Sequence, residues 1–219
     1  MTKSLENLGF IRIFILKIGD VIINDLLLKE AAMKSNTPLS MFSMEIFKEM
    51  ILYITERCGD KETYAYTHLN KILYYSDLFW YGEYGTSLSG ETYAKDKYGA
   101  RATHMMTAEN ELRKEGYLKI KPVVFFKKSQ KKPILLKSPS YKNLTKKQQM
   151  HIDQFINKLG GLTAMEVTDY AHKDISYSIL KMKKPIPYES VFFLKPTKEE
   201  DLTEDDLKWA ESAIQEYEK

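Results

Sequence analysis

Between Thr67 and Tyr81 the sequence carries two helical stripes rather than one. Leu69, Ile72, Leu73, Phe79 and Trp80 form an apolar stripe, with Ser76 inside it, while Asn70, Tyr74, Asp77 and Tyr81 recur at spacings of four, three and four on another face. A period near 3.6 specifies a helix, and Thr67 is of a type that caps one. An apolar stripe must bury itself against other elements, so this helix needs a body around it. The core accounts for the first stripe. The second reads as a face turned outward, or as an internal hydrogen-bond network in which Asp77 pairs with His172.

The rest of the chain supplies that body. Ser43 can cap a helix carrying Phe47, Met50, Ile51 and Ile54 and ending at Gly59. From Gly82 to Gly99 the sequence is too rich in glycine, serine and threonine for a long helix, and Tyr93 and Tyr98 punctuate it. A third helix is expected from about Thr103 to Glu115, with Met105, Ala108 and Leu112 inward and Gly116 as its stop. Leu118, Ile120, Val124 and Phe126 then follow a period of two, a basic turn runs from Lys127 to Lys132, and Pro133 to Leu136 is the return strand. Thr145 starts a helix with Ile152, Phe155, Ile156 and Leu159 on one stripe, closed by Gly160-Gly161. Thr163 and Glu166 make a capping box for a helix reaching Ala171. A short helix is expected from Asp174 to Lys181, ended by Pro185 and Pro187, and Thr203 caps the last one. The fold class is therefore mainly α with a small β hairpin (α+β), a compact helical domain with a winged-helix-like element.

Three domains of unequal weight follow. Residues 1–40 form an N-terminal extension, 41–195 the main domain, and 196–219 an acidic C-terminal helix packed on or beside it. The segment Asn36 to Ser40 reads as the linker. Residues Leu8 to Leu28 are apolar but broken by Arg12, Lys17, Asp20 and Asp25, whereas a bilayer span wants roughly 20 residues with few charges. No small-residue cleavage site follows, so a signal peptide is a poor reading too. The extension is either an added element packing on the body or the product of a start codon upstream of Met41 or Met44. A single cysteine, Cys58, cannot form an internal disulfide and suits a reducing, cytoplasmic setting. The net charge of +3 decides no partner, but its distribution is uneven. Leu112 to Met150 holds twelve Lys or Arg against one acid, and Lys198 to Lys219 holds nine acids against three lysines. Such runs are commonly just solvated surface.

No motif makes a case for catalysis, a cofactor or a metal. Gly85-Thr86-Ser87-Leu88-Ser89-Gly90-Glu91-Thr92 has P-loop spacing, but Glu91 stands where a cation must meet the phosphates. His68, His104, His151 and His172 are scattered, with no ligand spacing on a helix face. Cys58 reads as a small packed hydrophobe. The helix ending at Glu115, followed by a lysine-rich hairpin, is similar to a winged helix and its wing. Lys127, Lys128, Lys131 and Lys132 are then candidate nucleic-acid contacts, the alternative being a hairpin that seals the core with lysines guarding its edge.

Leu69-Asn70-Lys71-Ile72-Leu73-Tyr74-Tyr75-Ser76-Asp77 closely resembles the opening helix of the Panacea (SocA-like antitoxin) family, a phage-associated group. The family's glycine-rich turn is matched by Gly85, Gly90 and Tyr93, its Tyr-Gly pair by Tyr98-Gly99, its helix ending in Ser-His by Glu166 to Asp174, and its closing element by Ile186-Pro187-Tyr188. The chain departs from the pattern at Ala100, where the family has Pro, at Ala171, where it has Ser, and at Tyr177, where it has Trp. The resemblance implies a non-catalytic antitoxin that neutralises a cognate toxin, encoded nearby, by direct contact or by delivering it to a protease. Tyrosine offers large, rigid contact area with a polar tip, and the chain has 15. Lys71, Tyr74, Asp77 and Tyr81, with Tyr93 and Tyr98, are thus the expected partner-binding surface. Leu69, Tyr75, Gly90, Gly99 and His172 are matched family positions of structural or binding role. The competing expectation is a DNA-binding regulator that controls its own operon, and a homo-oligomer is compatible with either.

Overall fold

The computed structural model describes residues 41–125, 128–172, 174 and 180–193. The expected N-terminal extension, residues 126–127, most of the short helix expected after Asp174, and the expected acidic C-terminal helix lie outside the described residues.

The described residues form five α-helices and two small hairpins: α1 (Met44–Cys58), α2 (Tyr66–Tyr84), β1 (Tyr93–Asp96), β2 (Gly99–Ala102), α3 (Met105–Lys114), β3 (Leu118–Phe125), β4 (Lys128–Leu135), α4 (Lys146–Leu159) and α5 (Ala164–His172), followed by a 3-10 helix (Tyr188–Phe193). This is the mainly helical α+β class expected. Helix α1 begins where Ser43 Oγ accepts from the Ile46 amide at 3.3 Å. It buries Phe47, Met50, Ile51, Ile54 and Cys58 in the core. Two reciprocal boxes start the later helices. Thr145 and Gln148 satisfy each other's amides at α4, and Thr163 and Glu166 do so at α5.

Helix α2 is the axis of the molecule. It packs against α1, α4, α5, β2 and the 3-10 helix. From His68 to Leu78 every residue is buried, polar ones included. A helix enclosed on all sides has no solvent face to give away, which is why its sequence does not read as one stripe. Its start differs from expectation. Thr67 lies inside the helix, Ala65 is the cap position, and His68 Nδ1 accepts from the Ala65 amide at 3.3 Å. Burial and a donor role toward the Leu162 carbonyl at 2.8 Å leave the His68 ring in its neutral form, its pKa lowered chiefly by desolvation.

The glycine-rich stretch, read from sequence only as broken, contains a hairpin. Strands β1 and β2 pair antiparallel from Tyr93↔Ala102 to Asp96↔Gly99. Lys97 and Tyr98 make the turn, and Gly99 follows with φ +95. The segment before the 3-10 helix lies along the other edge of β1, where Ile186 N donates to Tyr93 O at 2.7 Å and Lys95 N to Lys184 O at 2.9 Å.

The second hairpin is longer than expected. Its register runs from Leu118↔Leu135 to Phe125↔Lys128, so Lys128 to Lys132 are strand residues and not a basic turn. Its predicted inward alternation also fails beyond the base. Leu118 and Pro133 are buried, but Val124 is 76% exposed. The base packs on α1, α2 and α3, and past Pro122 the strands outrun that cover.

Candidate functional site

The polar face of α2 is internal. Lys71, Tyr74, Asp77, Tyr81 and Tyr93 are all buried, and of the six residues expected to grip a partner only Tyr98 is exposed, at 59%. The expectation of an outward tyrosine face is thereby corrected. The reason is the enclosure of α2. A polar group on a surrounded helix is pressed to find an internal partner, because burying one unpaired costs roughly 1–3 kcal/mol.

Most of those groups have internal partners. Asp77 accepts from the Ser89 amide at 2.8 Å, the Ser89 hydroxyl at 2.6 Å and the Tyr93 hydroxyl at 2.6 Å. The alternative pairing of Asp77 with His172 is replaced by this one, and His172 sits at the exposed end of α5. Burial pushes the Asp77 carboxyl up to about 6, against the pull of its three donors. Tyr74 donates to Asp174 at 3.0 Å and Tyr81 to Glu189 at 3.1 Å. Tyr188 donates to the Glu91 carbonyl at 2.6 Å. Glu91 itself, fully buried, accepts from the Thr103 amide and hydroxyl and from the His104 amide at the start of α3. Its carboxylate is committed to holding that helix end, where negative charge is favoured.

The remaining matched positions are structural in placement. Leu69 and Tyr75 are core residues. Gly90 has φ +71, and its amide donates to Ser87 Oγ at 2.8 Å. Gly99 has φ +95, and a side chain there would collide with Lys71 and press on Ala171.

Lys71 is the point where this interior meets the outside. Its amine is 2% exposed as a residue and donates to the Ala100 carbonyl at 3.0 Å. Burial lowers its pKa to about 7, with Asp96 and Asp174 pulling the other way. It lines an open pocket of about 450 Å³ between α2, the β1–β2 turn, α3 and β4. That volume lies within the range of about 300–1,000 Å³ common for ligand sites. The rim is exposed and charged. Arg101 bridges Asp96 and Arg113 bridges Glu109, both at 3.6 Å with half-exposed arginines. Tyr66 donates to Glu109 at 2.9 Å. Met106 is 67% exposed beside them.

Sequence reasoning named Lys71, Tyr98, Gly99 and Lys131 and missed the wall contributed by α3. Met106, Glu109, Asn110 and Arg113 fall at i, i+3, i+4 and i+7, one helical stripe flanking the inward Met105, Ala108 and Leu112. That spacing was the available signal. Of the lysines expected at nucleic acid, Lys131 is exposed and lines the pocket, while Lys132 is half-buried and donates to the Lys61 carbonyl at 2.9 Å. Lys127 lies outside the described residues, as does the side chain of Lys128. Among the described residues no helix is long and apolar enough to cross a membrane, and no three His, Cys, Asp or Glu side chains gather as metal ligands.

Residues 69–176 match the family model described as antitoxin SocA-like, Panacea domain. Neither a curated protein nor a solved structure matches the chain. The matched span starts at Leu69 in α2 and includes the β1–β2 hairpin, the α3 wall and α5, so most of the pocket lies inside it.

Proposed function

Through residues 69–176 the chain belongs to the SocA-like antitoxin family with its Panacea domain, and we propose that it neutralises a cognate toxin, encoded nearby, by direct protein–protein contact. A family of this kind points to binding and not to catalysis. The observation that carries the reading to a place on the molecule is the open pocket over Lys71. It joins a rigid, buried floor to an exposed rim with an aromatic residue, a methionine and two arginines. Tyr, Met and Arg are the residue types enriched at protein interfaces. Neutralisation by occlusion and delivery to a protease both begin with this contact.

The test is co-expression with each flanking gene. A toxic neighbour whose growth arrest is relieved, and which co-purifies with this chain, supports the reading. A set of neighbours none of which is toxic or retained overturns it. DNA contact is the second reading, favoured by one observation: Lys119, Lys121 and Lys131 are exposed on the protruding hairpin. It requires a gel shift with the chain's own promoter that weakens steeply with salt.

A further inference from the structure

The floor of the pocket holds two adjacent groups that the protein itself leaves incompletely satisfied. Asn70 is 7% exposed, its Nδ2 donates to the Tyr66 carbonyl at 2.9 Å, and its Oδ1 is buried with no hydrogen-bond partner among the described residues. That oxygen is enclosed and closed to an incoming group, so the position a ligand can answer is the amine beside it. Lys71, next in sequence, is a buried amine whose hydrogen bond goes to a neutral carbonyl, and no carboxylate of the described residues lies within ion-pair distance of it. A buried lysine ordinarily has an anionic partner, since its own burial costs several kcal/mol. Gly99, at φ +95 and against Lys71, leaves the amine the space it occupies.

The charge around these two groups is one-sided. Lys71, Arg101, Arg113 and Lys131 line the pocket against Asp96 and Glu109, and both carboxylates already face an arginine. The surplus is cationic. A ligand that matches this surplus must bring a carboxylate, and an acidic side chain of a polypeptide does so.

We propose that this pocket receives an acidic residue of the partner polypeptide, whose carboxylate enters over Lys71 between Arg101 and Arg113. The inference rests on the antitoxin reading for the identity of the partner as a protein, and it names the chemistry of the contact. Lys71 becomes a fully charged lysine once the carboxylate arrives, and the two rim arginines exchange long, solvent-screened bridges for a closer anion.

The experiment uses the full chain, labelled with nitrogen-15, titrated with acetyl-Gly-Glu-Gly-amide, with acetyl-Gly-Gln-Gly-amide and with inorganic phosphate. The glutamate peptide is expected to shift the amide signals of Gly99, Ala100 and Arg101 saturably, with the glutamine peptide at least about tenfold weaker. Arg113→Gln and Lys131→Gln, both at the exposed rim, are expected to weaken the glutamate peptide about threefold each at unchanged melting temperature, so the test does not depend on a Lys71 variant folding. Equal binding of the two peptides, saturable shifts confined to other residues, or no saturable shift overturns the proposal. Phosphate matching the glutamate peptide in affinity and shift pattern overturns it too, in favour of a general anion site. Relief of a flanking toxin that survives the double rim variant, with no peptide response, leaves the antitoxin reading standing without this pocket. Peptide binding here with no toxic neighbour does the reverse.

Discussion

Lys71 fills the volume that a side chain on Gly99 would need: an added Cβ would stand 2.6 Å from Lys71 Cε and 3.1 Å from the Ala171 methyl. The two residues come from different parts of the chain, a central helix and a hairpin turn, and each explains the other. The glycine supplies the left-handed backbone at φ +95 and clears room for a long buried side chain.

Gly99→Ala therefore meets two penalties, backbone strain and overpacking, and is expected to lose on the order of 3 kcal/mol. The Gly99→Ala/Lys71→Ala double variant removes the collision and keeps the strain, so its loss should fall short of the sum of the singles. Urea unfolding of the four proteins measures this. Strict additivity would show that the two side chains do not compete for one space.

Lys71 also makes stability depend on pH. Its amine has a pKa of about 7 in the folded chain and 10.5 as the ordinary value, so between those values the unfolded chain binds more protons. Stability contributed by this group therefore rises with pH from about 7 to about 10.5, and its burial penalty is fullest below 7. The total change is on the order of 4 kcal/mol. Lys71→Met should remove that slope, gaining most over wild type at the acid end. Parallel curves for the two proteins across the window would contradict it.

Asp77 answers to the opposite end of the scale. Burial raises its carboxyl to about 6 from 3.8, so the folded chain holds the proton more tightly, and stability from this group falls as pH rises between those values. Asp77→Asn should flatten that fall at modest cost, because the Ser89 and Tyr93 hydroxyls can turn to suit an amide. Asp77→Ala strands the Ser89 amide and both hydroxyls and is expected to cost about 3 kcal/mol. Thermal unfolding from pH 3.5 to 7 separates the two.

Glu49 holds the loop that leads into α4. Its buried carboxylate accepts from the amides of Lys142, Asn143 and Leu144 and from Asn143 Nδ2, between 2.8 and 3.1 Å. Glu49→Ala is expected to destabilise by about 2–3 kcal/mol. Amide hydrogen exchange at Asn143 and Leu144 should quicken before exchange in α2 does. Uniform acceleration across the chain would mean that this loop has no separate opening.

Much of the helical frame was legible. Ser43, Thr145 and the Thr163/Glu166 pair cap what they were expected to cap, because capping depends on neighbours within one turn. The β1–β2 hairpin was not read, although Asp96 and Gly99 are usual residues for the first and last positions of a turn, because its strands are only four residues long and show no sustained alternation. The direction of the α2 polar face was misjudged for a plainer reason. Spacing tells which side chains share a face, and only the other elements decide whether that face meets water. Lys71, Asn70 and Gly99 were each visible, but nothing local joins residue 71 to residue 99. Their meeting is a tertiary event.

Cys58, the chain's one cysteine, lies at zero exposure beneath Gly160 at the end of α4, and burial pushes its thiol up to about 11. At neutral pH a thiol reagent can reach it only while the end of α1 is parted from α4. The molecule therefore carries its own clock: the rate at which Cys58 takes a label counts those openings. Any partner whose binding holds those two helix ends together would announce itself as a slowing of that clock, with no reporter added.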